Sequence, residues 1–286
     1  MILVDYSSVM HSMVHTQINN FDDNVDLIRH LIINKLRDFN NTYKAEFGEM
    51  VLCFDAGGNW RKDKYPFYKA GRKKSRDDSK HDWGKIFGVL NEVQDDIINF
   101  MPYRTVGVKG AEADDIIGTI CEMSNSPEPI LIISPDKDFV QLQRYPNVKQ
   151  YSNLQRKWVT PDEDALTDLN VKILRGDAGD GVPNVLSEDE TLITEGKRQT
   201  PLSKKKLAAL TENPESLGTT VARRIIRNKE LIDLSQTPFE YKMKIMTEYE
   251  KPALGNVTKL MSLLTKYRMN QLLGSLSDFE VVKLNG

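Results

Sequence analysis

The sequence predicts an α/β fold in which a mostly parallel central sheet carries helices on both faces. Short apolar runs, such as ILII at residues 130–133, alternate with longer segments whose apolar residues recur at helical spacing. Such alternation is typical of parallel strands joined by helical connections. The chain has 286 residues, 40% of them hydrophobic, which is enough for one large domain with a smaller helical extension.

The predicted strands and helices follow one another in a regular order. Strands are predicted at residues 1–5, 49–55, 102–106 and 129–134, followed by a strand pair at 147–151 and 157–160. Helices are predicted at residues 25–40, 83–101, 112–123, from 136 onwards, and at 160–175, where Thr160 and Pro161 provide an N-cap and a first helical residue. Thr200 and Pro201 indicate another helix start. We divide the chain into an α/β domain at residues 1–180 and a helical region at residues 181–286.

Acidic residues stand where four of the predicted strands end. They are Asp5, Asp55, the group Glu112, Asp114 and Asp115 after the third strand and its loop, and the pair Asp136 and Asp138. Because ligands of an open parallel sheet bind outside the carboxyl ends of its strands, we expect all four groups at one rim. A further pair, Asp177 and Asp180, follows the helix that is predicted to return from the sheet.

Carboxylates gathered at one rim repel one another, and burial raises their pKa values unless a cation compensates. The predicted cluster contains neither His nor Cys, and oxygen ligands alone favour Mg²⁺ or Mn²⁺ over zinc. So many acids suit a site in which two metal ions act on a phosphoryl centre. For Asp136 and Asp138 an alternative remains open, in which the first caps a helix and the second lies in its first turn.

Basic residues concentrate in one segment of a chain whose formal net charge is only -2. Residues 59–85 contain ten Lys or Arg against four Asp, a net charge of +6. Tyr65, Phe67 and Tyr68 lie among these cations, and basic residues interleaved with aromatic ones suit the phosphates and bases of a single strand. The alternative for this segment is a solvated basic loop.

The cysteines and the apolar pattern indicate a cytoplasmic protein. Cys53 and Cys121 lie inside apolar patterns, which favours buried thiols in a reducing compartment over a disulfide or a zinc site. The amino terminus lacks a basic leader, and no apolar run reaches membrane-spanning length. We therefore expect no membrane association and a cytoplasmic location.

Five features in one order resemble the flap endonuclease and 5′-nuclease family, and most closely its T-even phage ribonuclease H branch. They are Asp5, Asp55, GAEADDIIGTI, SPDKDF and GDAGDGVPNV. The resemblance implies a PIN-like 5′-nuclease fold, a basic helical arch at about residues 57–85 and carboxyl-terminal helices that grip duplex DNA. Gly181 and Asn184 stand where the family usually has Asn and Gly, and residues 186–210 replace the glycine-rich second loop of its potassium-binding helix-turn-helix element.

The resemblance also implies an activity and its residues. The protein is expected to be a Mg²⁺-dependent 5′ to 3′ nuclease, with flap endonuclease and ribonuclease H activity, that removes RNA primers and adjacent DNA during phage replication. Two ions are implied, for which Mn²⁺ can substitute: Asp5, Asp55, Glu112 and Asp114 match the first, and Asp115, Asp136, Asp138 and Asp177, with Asp180 beside them, match the second. Asp114 and Asp136 are counted as catalytic as well, together with Lys69 on the scissile phosphate and Arg72 assisting it.

Nucleic-acid contacts and partners complete the expectation. Tyr68 is expected to stack on a base, and Lys73 and Lys74 to contribute to the arch. Lys204, Lys205 and Lys206 form a basic first helical turn, which opposes the helix dipole and indicates a phosphate partner. Expected substrates are DNA with a 5′ flap, nicked or gapped duplexes and RNA–DNA hybrids. Expected protein partners are a single-stranded-DNA-binding protein and a sliding clamp, and the enzyme is expected to be a monomer.

Three other functions fit part of the sequence. A PIN-type endoribonuclease has the same chemistry, but the length of the chain and the basic segment disfavour it. A non-catalytic nucleic-acid-binding replication factor does not need so many converging acids. A receiver-type phosphoacceptor also gathers aspartates at strand ends, but it gives no reason for the basic segment.

Overall fold

A six-stranded sheet forms the centre of the protein, in a computed structural model that describes residues 1–17, 25–72, 83–124, 127–212 and 218–283. The strands are β1 (Ile2–Asp5), β2 (Met50–Phe54), β3 (Arg104–Gly107), β4 (Ile130–Ile133), β5 (Val148–Ser152) and β6 (Lys157–Val159). Their order across the sheet is β3-β2-β1-β4-β5-β6. The first five are parallel, and β6 runs antiparallel beside β5. The predicted mostly parallel sheet is confirmed.

Helices cover both faces of this sheet. In the described residues they are α1 (Tyr6–Gln17), α2 (Val25–Phe47), α3 (Trp60–Lys64), α4 (Trp83–Phe100), α5 (Ala113–Met123), α6 (Ala165–Arg175), α7 (Lys204–Glu212), α8 (Thr219–Ile232), α9 (Phe239–Tyr249), α10 (Val257–Lys266) and α11 (Asn270–Leu273). Three 3₁₀ helices span Lys137–Arg144, Leu234–Gln236 and Leu276–Phe279. None of the described helices is both long and apolar enough to cross a membrane.

The core consists of two apolar layers because successive residues of a strand point to opposite faces. On one face, Ile2 and Val4 of β1 pack with α2, α4 and α10. On the other, Leu3 packs with α5 and α9. β1 and β4 are buried along their whole length, which explains why their sequences are continuous apolar runs rather than alternating ones.

The last third of the chain contributes to both layers. α9 packs on α5 and β3, and α10 packs on α4. The 3₁₀ helix Leu276–Phe279 lies on α2, where the Asn40 side chain donates to the carbonyls of Asp278 and Glu280 at 2.7 and 3.0 Å. The division of the chain at residues 1–180 and 181–286 stays a prediction.

Several predicted element boundaries are wrong. α1 was not predicted, and α2 continues to Phe47 rather than ending at residue 40. α6 begins at Ala165 instead of Thr160, because the Asp164 side chain accepts from the backbone N–H groups of Leu166 and Thr167 and so caps it there.

The helix predicted to start at Thr200 and Pro201 begins instead at Lys204. The backbone N–H of Thr200 donates to Ser187 Oγ at 2.9 Å, and its carbonyl accepts from Asn184 at 2.9 Å. These hydrogen bonds hold Thr200 in the preceding loop. The predicted helix at residue 136 is a 3₁₀ helix.

Both cysteines are buried and form no disulfide. Burial raises the pKa of the Cys53 thiol and raises that of Cys121 to about 12. The raised pKa values favour the protonated thiols, and the prediction that both cysteines are buried is confirmed.

Candidate active site

Asp5 is held at the centre of the acidic rim by the ends of two strands. Its side chain is the last of β1 and is only 4% exposed. One oxygen accepts from the backbone N–H of Ser8 at 3.1 Å, and the other accepts from the hydroxyl of Ser134 at 2.9 Å. Ser134 directly follows β4 and its Oγ also accepts from the N–H of Asp136 at 3.1 Å. The hydroxyl of Ser134 thus fixes Asp5 and the start of the next acidic turn together.

Asp55 brings a second acidic segment to the same rim. Its carboxylate accepts from the N–H of Ala113, the first residue of α5, at 2.9 Å. This contact uses an unpaired backbone donor at a helix amino terminus, where the helix dipole favours a negative charge. Glu112 is the N-cap residue of α5 and Asp114 lies in its first turn, so both are placed next to the end of β2.

The acids of the rim influence one another electrostatically. Burial, and then the charges of Asp55 and Asp136, raise the pKa of Asp5 to about 7. Burial and the charge of Asp5 raise the pKa of Asp114 well above its usual range, and Asp136 and Glu112 add to this. Burial raises the pKa of Asp138 to about 6 although Lys172 opposes the shift. Raised pKa values show that too little positive charge lies near these carboxylates to stabilise their ionised forms. A bound cation would supply that charge.

Two lysines partly neutralise the acidic rim. Lys69 Nζ lies 2.5 Å from Glu112 and 3.5 Å from Asp180. Lys172, in the last turn of α6, is paired with Asp138 and lies 2.9 Å from Asp177. Sequence reasoning missed Lys172, although its position five residues before Asp177 on a helix that returns to the rim was a usable signal.

The donor set fits hard divalent cations, since it consists of carboxylate oxygens, and burial raises the pKa values of Asp5, Asp114 and Asp138. Within the described residues, no three acidic, His or Cys side chains are arranged to enclose one ion together. The lysine contacts explain this, because Glu112 and Asp138 point at ammonium groups. An ion held by either carboxylate would have to replace the lysine as its partner.

Asp136 has the helix-capping role that the sequence left open as an alternative. It is the N-cap of the 3₁₀ helix Lys137–Arg144, and its Oδ1 accepts from the N–H of Asp138 at 2.9 Å. The Gln150 side chain in β5 donates to the carbonyl of Asp136 at 2.6 Å. Asp136 is nevertheless exposed, and its charge raises the pKa values of both Asp5 and Asp114. The capping hydrogen bond therefore orients the Asp136 side chain, which still lies at the acidic rim.

Asp115 departs from the predicted metal role. Its side chain is fully buried and forms a two-pronged ion pair with Arg61, with both N–O distances 2.9 Å. It also accepts from Trp60 at 3.1 Å, from the Glu112 N–H at 2.9 Å and from Thr237 at 2.7 Å. These five donors occupy both oxygens, so no lone pair is left for an ion. The prediction that Asp115 is a metal ligand is corrected to a buried structural carboxylate.

Tyr68 likewise departs from its predicted role. The residue is only 3% exposed, and its hydroxyl lies 3.0 Å from a Glu112 oxygen and 2.9 Å from an Asp180 oxygen. A ring enclosed in this way offers no face to a base. In this structure Tyr68 positions two acids of the rim instead of stacking on a nucleobase.

The described start of the basic segment carries cations to the rim. Lys69 has a φ of 55°, and its backbone N–H donates to the carbonyl of Asp180 at 2.7 Å. Arg72 lies 2.5 Å from Asp180 with its side chain 54% exposed. Lys73 and Lys74 lie outside the described residues.

Gly181 and Asn184, the two departures from the family pattern, have structural reasons. Gly181 has a φ of +76°, and a Cβ there would lie 2.6 Å from the carbonyl oxygen of Phe67. The glycine therefore permits close packing of residues 176–182 against the entrance of the basic segment. Asn184 accepts from the N–H of Leu186 and from the Ser187 hydroxyl, each at 3.0 Å.

Lys204, Lys205 and Lys206 are exposed in the first turn of α7. No hydrogen bond or ion pair of the described residues joins them to the acidic rim. The structure therefore gathers Asp5, Asp55, Glu112, Asp114, Asp136, Asp138, Asp177, Asp180, Lys69 and Arg72 around one rim, and leaves the three lysines of α7 elsewhere on the surface.

Comparison with known proteins identifies the family to which this chain belongs. The model for the 5′-3′ exonuclease N-terminal resolvase-like domain matches residues 1–170, and that for the T4 RNase H C-terminal domain matches residues 164–279. The chain belongs to the 5′-3′ exonuclease family. Among its relatives, ribonuclease H of Enterobacteria phage T4 is 33% identical over 97% of this chain and 95% of that protein. The 5′-3′ exonuclease of Mycoplasmopsis pulmonis is 30% identical over 49% of this chain and 44% of that protein.

Two solved structures of bacteriophage T5 proteins share the fold. Bacteriophage T5 5′-exonuclease with bound zinc has a TM-score of 0.63 at 18% identity, over 95% of this chain and 98% of that one. The T5 flap endonuclease in complex with DNA and metal ions has a TM-score of 0.64 at 16% identity, over 93% and 98% of the two chains. The predicted family, its fold and its class as a nuclease are thereby confirmed.

Proposed function

We propose that this member of the 5′-3′ exonuclease family is a divalent-metal-dependent 5′ to 3′ nuclease. It would cut 5′ flaps and remove RNA primers, with adjacent DNA, from duplex ends during phage DNA replication in the host cytoplasm. The observation that supports this most is the placement of Lys69 beside the acids of the rim at the entrance of the basic segment. The similarity to phage T4 ribonuclease H over nearly the whole chain supports the same substrates.

In this proposal the acids divide between two Mg²⁺ ions, for which Mn²⁺ can substitute. Asp5, Asp55, Glu112 and Asp114 would hold the first, and Asp136, Asp138, Asp177 and Asp180 the second. When bound, such ions activate a water molecule and stabilise charge on the attacking and leaving oxygens of a phosphodiester. The neighbouring T5 flap endonuclease, whose structure includes DNA and metal ions, supports a metal site of this kind.

The chain's own residues orient these acids and bind the phosphate. Ser8 and Ser134 hold Asp5 in one rotamer by their hydrogen bonds. Lys69 has a side chain that is 12% exposed and would move from Glu112 to a phosphate oxygen once Glu112 turns to an ion. In such a sheltered position its charge acts on the phosphate with little screening by water. Arg72, which is more exposed, would assist at the same phosphate.

The binding surface for the rest of the substrate is proposed in less detail. Lys73 and Lys74 would extend the cationic path along the arch, and Lys204, Lys205 and Lys206 would contact phosphates of the duplex. The protein would act as a monomer together with a single-stranded-DNA-binding protein and a sliding clamp.

One cleavage experiment tests the proposal against its rivals. A 5′-labelled flap duplex, an RNA–DNA hybrid and a single-stranded RNA are each incubated with the protein and Mg²⁺. The proposal requires short 5′ products from the first two substrates. Cleavage of the single-stranded RNA alone would identify a PIN-type endoribonuclease, and tight binding without any product would identify a replication factor that is not an enzyme.

Mg²⁺ is expected to raise the melting temperature (Tm) of the protein, because a ligand that binds only the folded state stabilises it. At a concentration 100 times its dissociation constant, an ion stabilises the fold by about 2.7 kcal/mol. Asp5→Asn combined with Asp136→Asn should remove most of this shift in a thermal unfolding experiment. The pair Asp162→Asn and Asp164→Asn, two acids outside the rim, serves as the control and should keep it. An equal shift in the rim double mutant would place the ions elsewhere.

Lys69→Ala is expected to slow cleavage far more than it weakens DNA binding, since the lysine meets the phosphate as charge develops. The expected loss in single-turnover rate is about 10²-fold, against a change of less than about threefold in Kd. Arg72→Ala should show the same pattern more mildly because its side chain is 54% exposed. A proportional fall of rate and affinity would make Lys69 an ordinary phosphate contact.

A further inference from the structure

The hairpin formed by β5 and β6 lies directly beside the acidic rim, and β1 and β4 separate it from β2, the strand that leads into the basic segment. The Gln150 side chain in β5 donates to the carbonyls of Ser134 and Asp136 at 3.0 and 2.6 Å. Because neighbouring strands lie about 4.8 Å apart, β6 is only about 10 Å from β4. β5 is parallel to β4, so the turn at residues 153–156 extends past the carboxyl ends of the strands, on the side of the rim.

The hairpin presents an exposed indole on a fixed support. Trp158 in β6 is 47% exposed. Its ring packs edge-on against Tyr151 and Tyr43, with ring centres 5.5 and 6.3 Å away. The two tyrosines also contact each other at 5.6 Å. The indole is therefore held in place by its neighbours while nearly half of the residue faces solvent.

A lysine lies near this indole, and an arginine lies in the adjoining turn. Lys149 Nζ lies 5.9 Å from the centre of the Trp158 ring and is paired with Glu46 at 3.2 Å. Arg156, in the turn, is exposed. Lys157 is exposed as well, but it directly precedes Trp158 in β6 and so points to the other face of the sheet. The acidic residues at 162–164 follow the other end of β6, away from the rim. An exposed ring flanked by cations suits the bases and phosphates of an unpaired strand, whereas an apolar protein partner would not match these charges.

We propose that Trp158 is a stacking platform for a base in the single-stranded part of the substrate, with Lys149 and Arg156 meeting the adjacent phosphates. The unpaired strand is the favoured ligand because its bases offer free π-faces, whereas those of a duplex are already stacked. This inference rests on the proposed nuclease function and adds a contact beyond the metal site. The bound strand would span the acidic rim from the basic segment on one side to the hairpin on the other.

Binding measurements without divalent ions test the proposal, since no substrate is then cut. The variants are Trp158→Ala, Trp158→Phe and, as a matched control, Phe239→Ala. Phe239 is 72% exposed and lies on α9, which covers the opposite face of the sheet. The probes are one duplex with blunt ends and the same duplex with a single-stranded 5′ extension of thymidines.

Trp158→Ala is expected to raise the Kd for the extended duplex by about 5-fold to 140-fold, the range for losing one base–aromatic stack. The Kd for the blunt duplex should change less than twofold. Trp158→Phe should retain most of the affinity, and Phe239→Ala all of it. An unchanged Kd of Trp158→Ala for the extended duplex would overturn the proposal, and so would an equal loss on both duplexes.

Tryptophan fluorescence gives a second readout that does not depend on the alanine variant folding. A thymidine oligonucleotide is expected to quench the emission of the wild-type protein, and Trp158→Phe should abolish the larger part of this quenching. Quenching that persists in Trp158→Phe would also overturn the proposal. Because neither measurement involves cleavage, a protein that binds through Trp158 but cuts no flap would contradict the proposed nuclease function alone.

Discussion

Asp136→Asn is expected to reduce cleavage of a 5′-flap substrate by a factor of about 10² or more, because water activation and charge stabilisation at the rim are lost together. The substitution preserves the shape of the side chain, and Asn is about as good an N-cap as Asp. The side-chain oxygen of the Asn can therefore accept the hydrogen bond that Asp136 Oδ1 accepts from the N–H of Asp138. The Tm without metal should stay the same or increase, since one charge of a repelling cluster is removed. Turnover with Mg²⁺ and Tm in its absence are measured on the same preparation.

Asp164→Asn provides a matched control for this substitution. Asp164 is also an N-cap aspartate that accepts from backbone N–H groups, at 3.0 and 3.1 Å, but it caps α6 at an exposed position away from the rim. Its replacement should leave both turnover and Tm nearly unchanged. If Asp136→Asn were equally silent, Asp136 would be a helix cap and nothing more, and the proposed second metal site would lose a central ligand.

Arg61→Ala is expected to destabilise the fold by about 3–5 kcal/mol, the usual consequence of removing one partner from a buried ion pair. Asp115 would then be a buried carboxylate without its counter-charge. Burial raises the pKa of Asp115, but the charge of Arg61 more than offsets this and keeps the pKa below its usual range. Without Arg61 that pKa would rise. Arg61 also donates to the carbonyl of Leu231 at 2.9 Å, so the start of the basic segment would lose its attachment to α8. Equilibrium unfolding in urea measures the change. Lys62→Ala, at the exposed neighbouring position, should change stability by less than about 0.5 kcal/mol.

Asp115→Asn separates the structural role of this carboxylate from the metal role that the sequence indicated. The variant should be less stable than the wild type, because Arg61 is left without its partner, yet Mg²⁺ should still raise its Tm by the wild-type amount. Loss of the Mg²⁺ effect with little loss of stability would return Asp115 to the list of metal ligands.

The strands and the acidic rim were predictable because their signals are local. A short apolar run that ends on an aspartate identifies both a strand and the position of its carboxyl end, as at Asp5 and Asp55. The parallel order of the strands then brings these ends together by geometry alone. The same reasoning placed Asp136 beside β4, where the structure has it as an N-cap, and its assignment as a metal ligand stays a prediction.

The wrong assignments concern side chains whose environment is set by distant parts of the chain. Asp114 and Asp115 are adjacent in sequence, but successive residues of a helix point about 100° apart. One therefore faces the rim and the other faces Arg61, 54 residues earlier in the chain. Tyr68 looked available for stacking because its neighbours in sequence are basic, but Glu112 and Asp180 enclose it in the fold. Neither contact has a signal in the local sequence.

The last helices of the chain complete the apolar layer that β1 begins. Leu260, Leu263 and Leu264 of α10 and Phe279 near the end of the described chain are fully buried against residues from the first half. During synthesis the amino-terminal strands therefore emerge long before the residues that cover them. Contacts between such distant segments are typical of slow folding, and until they form, the apolar sheet face remains open to association with other chains. When every acidic residue of the rim has left the ribosome, the residues of α10 and Phe279 that complete the core beneath the rim are still to be synthesised.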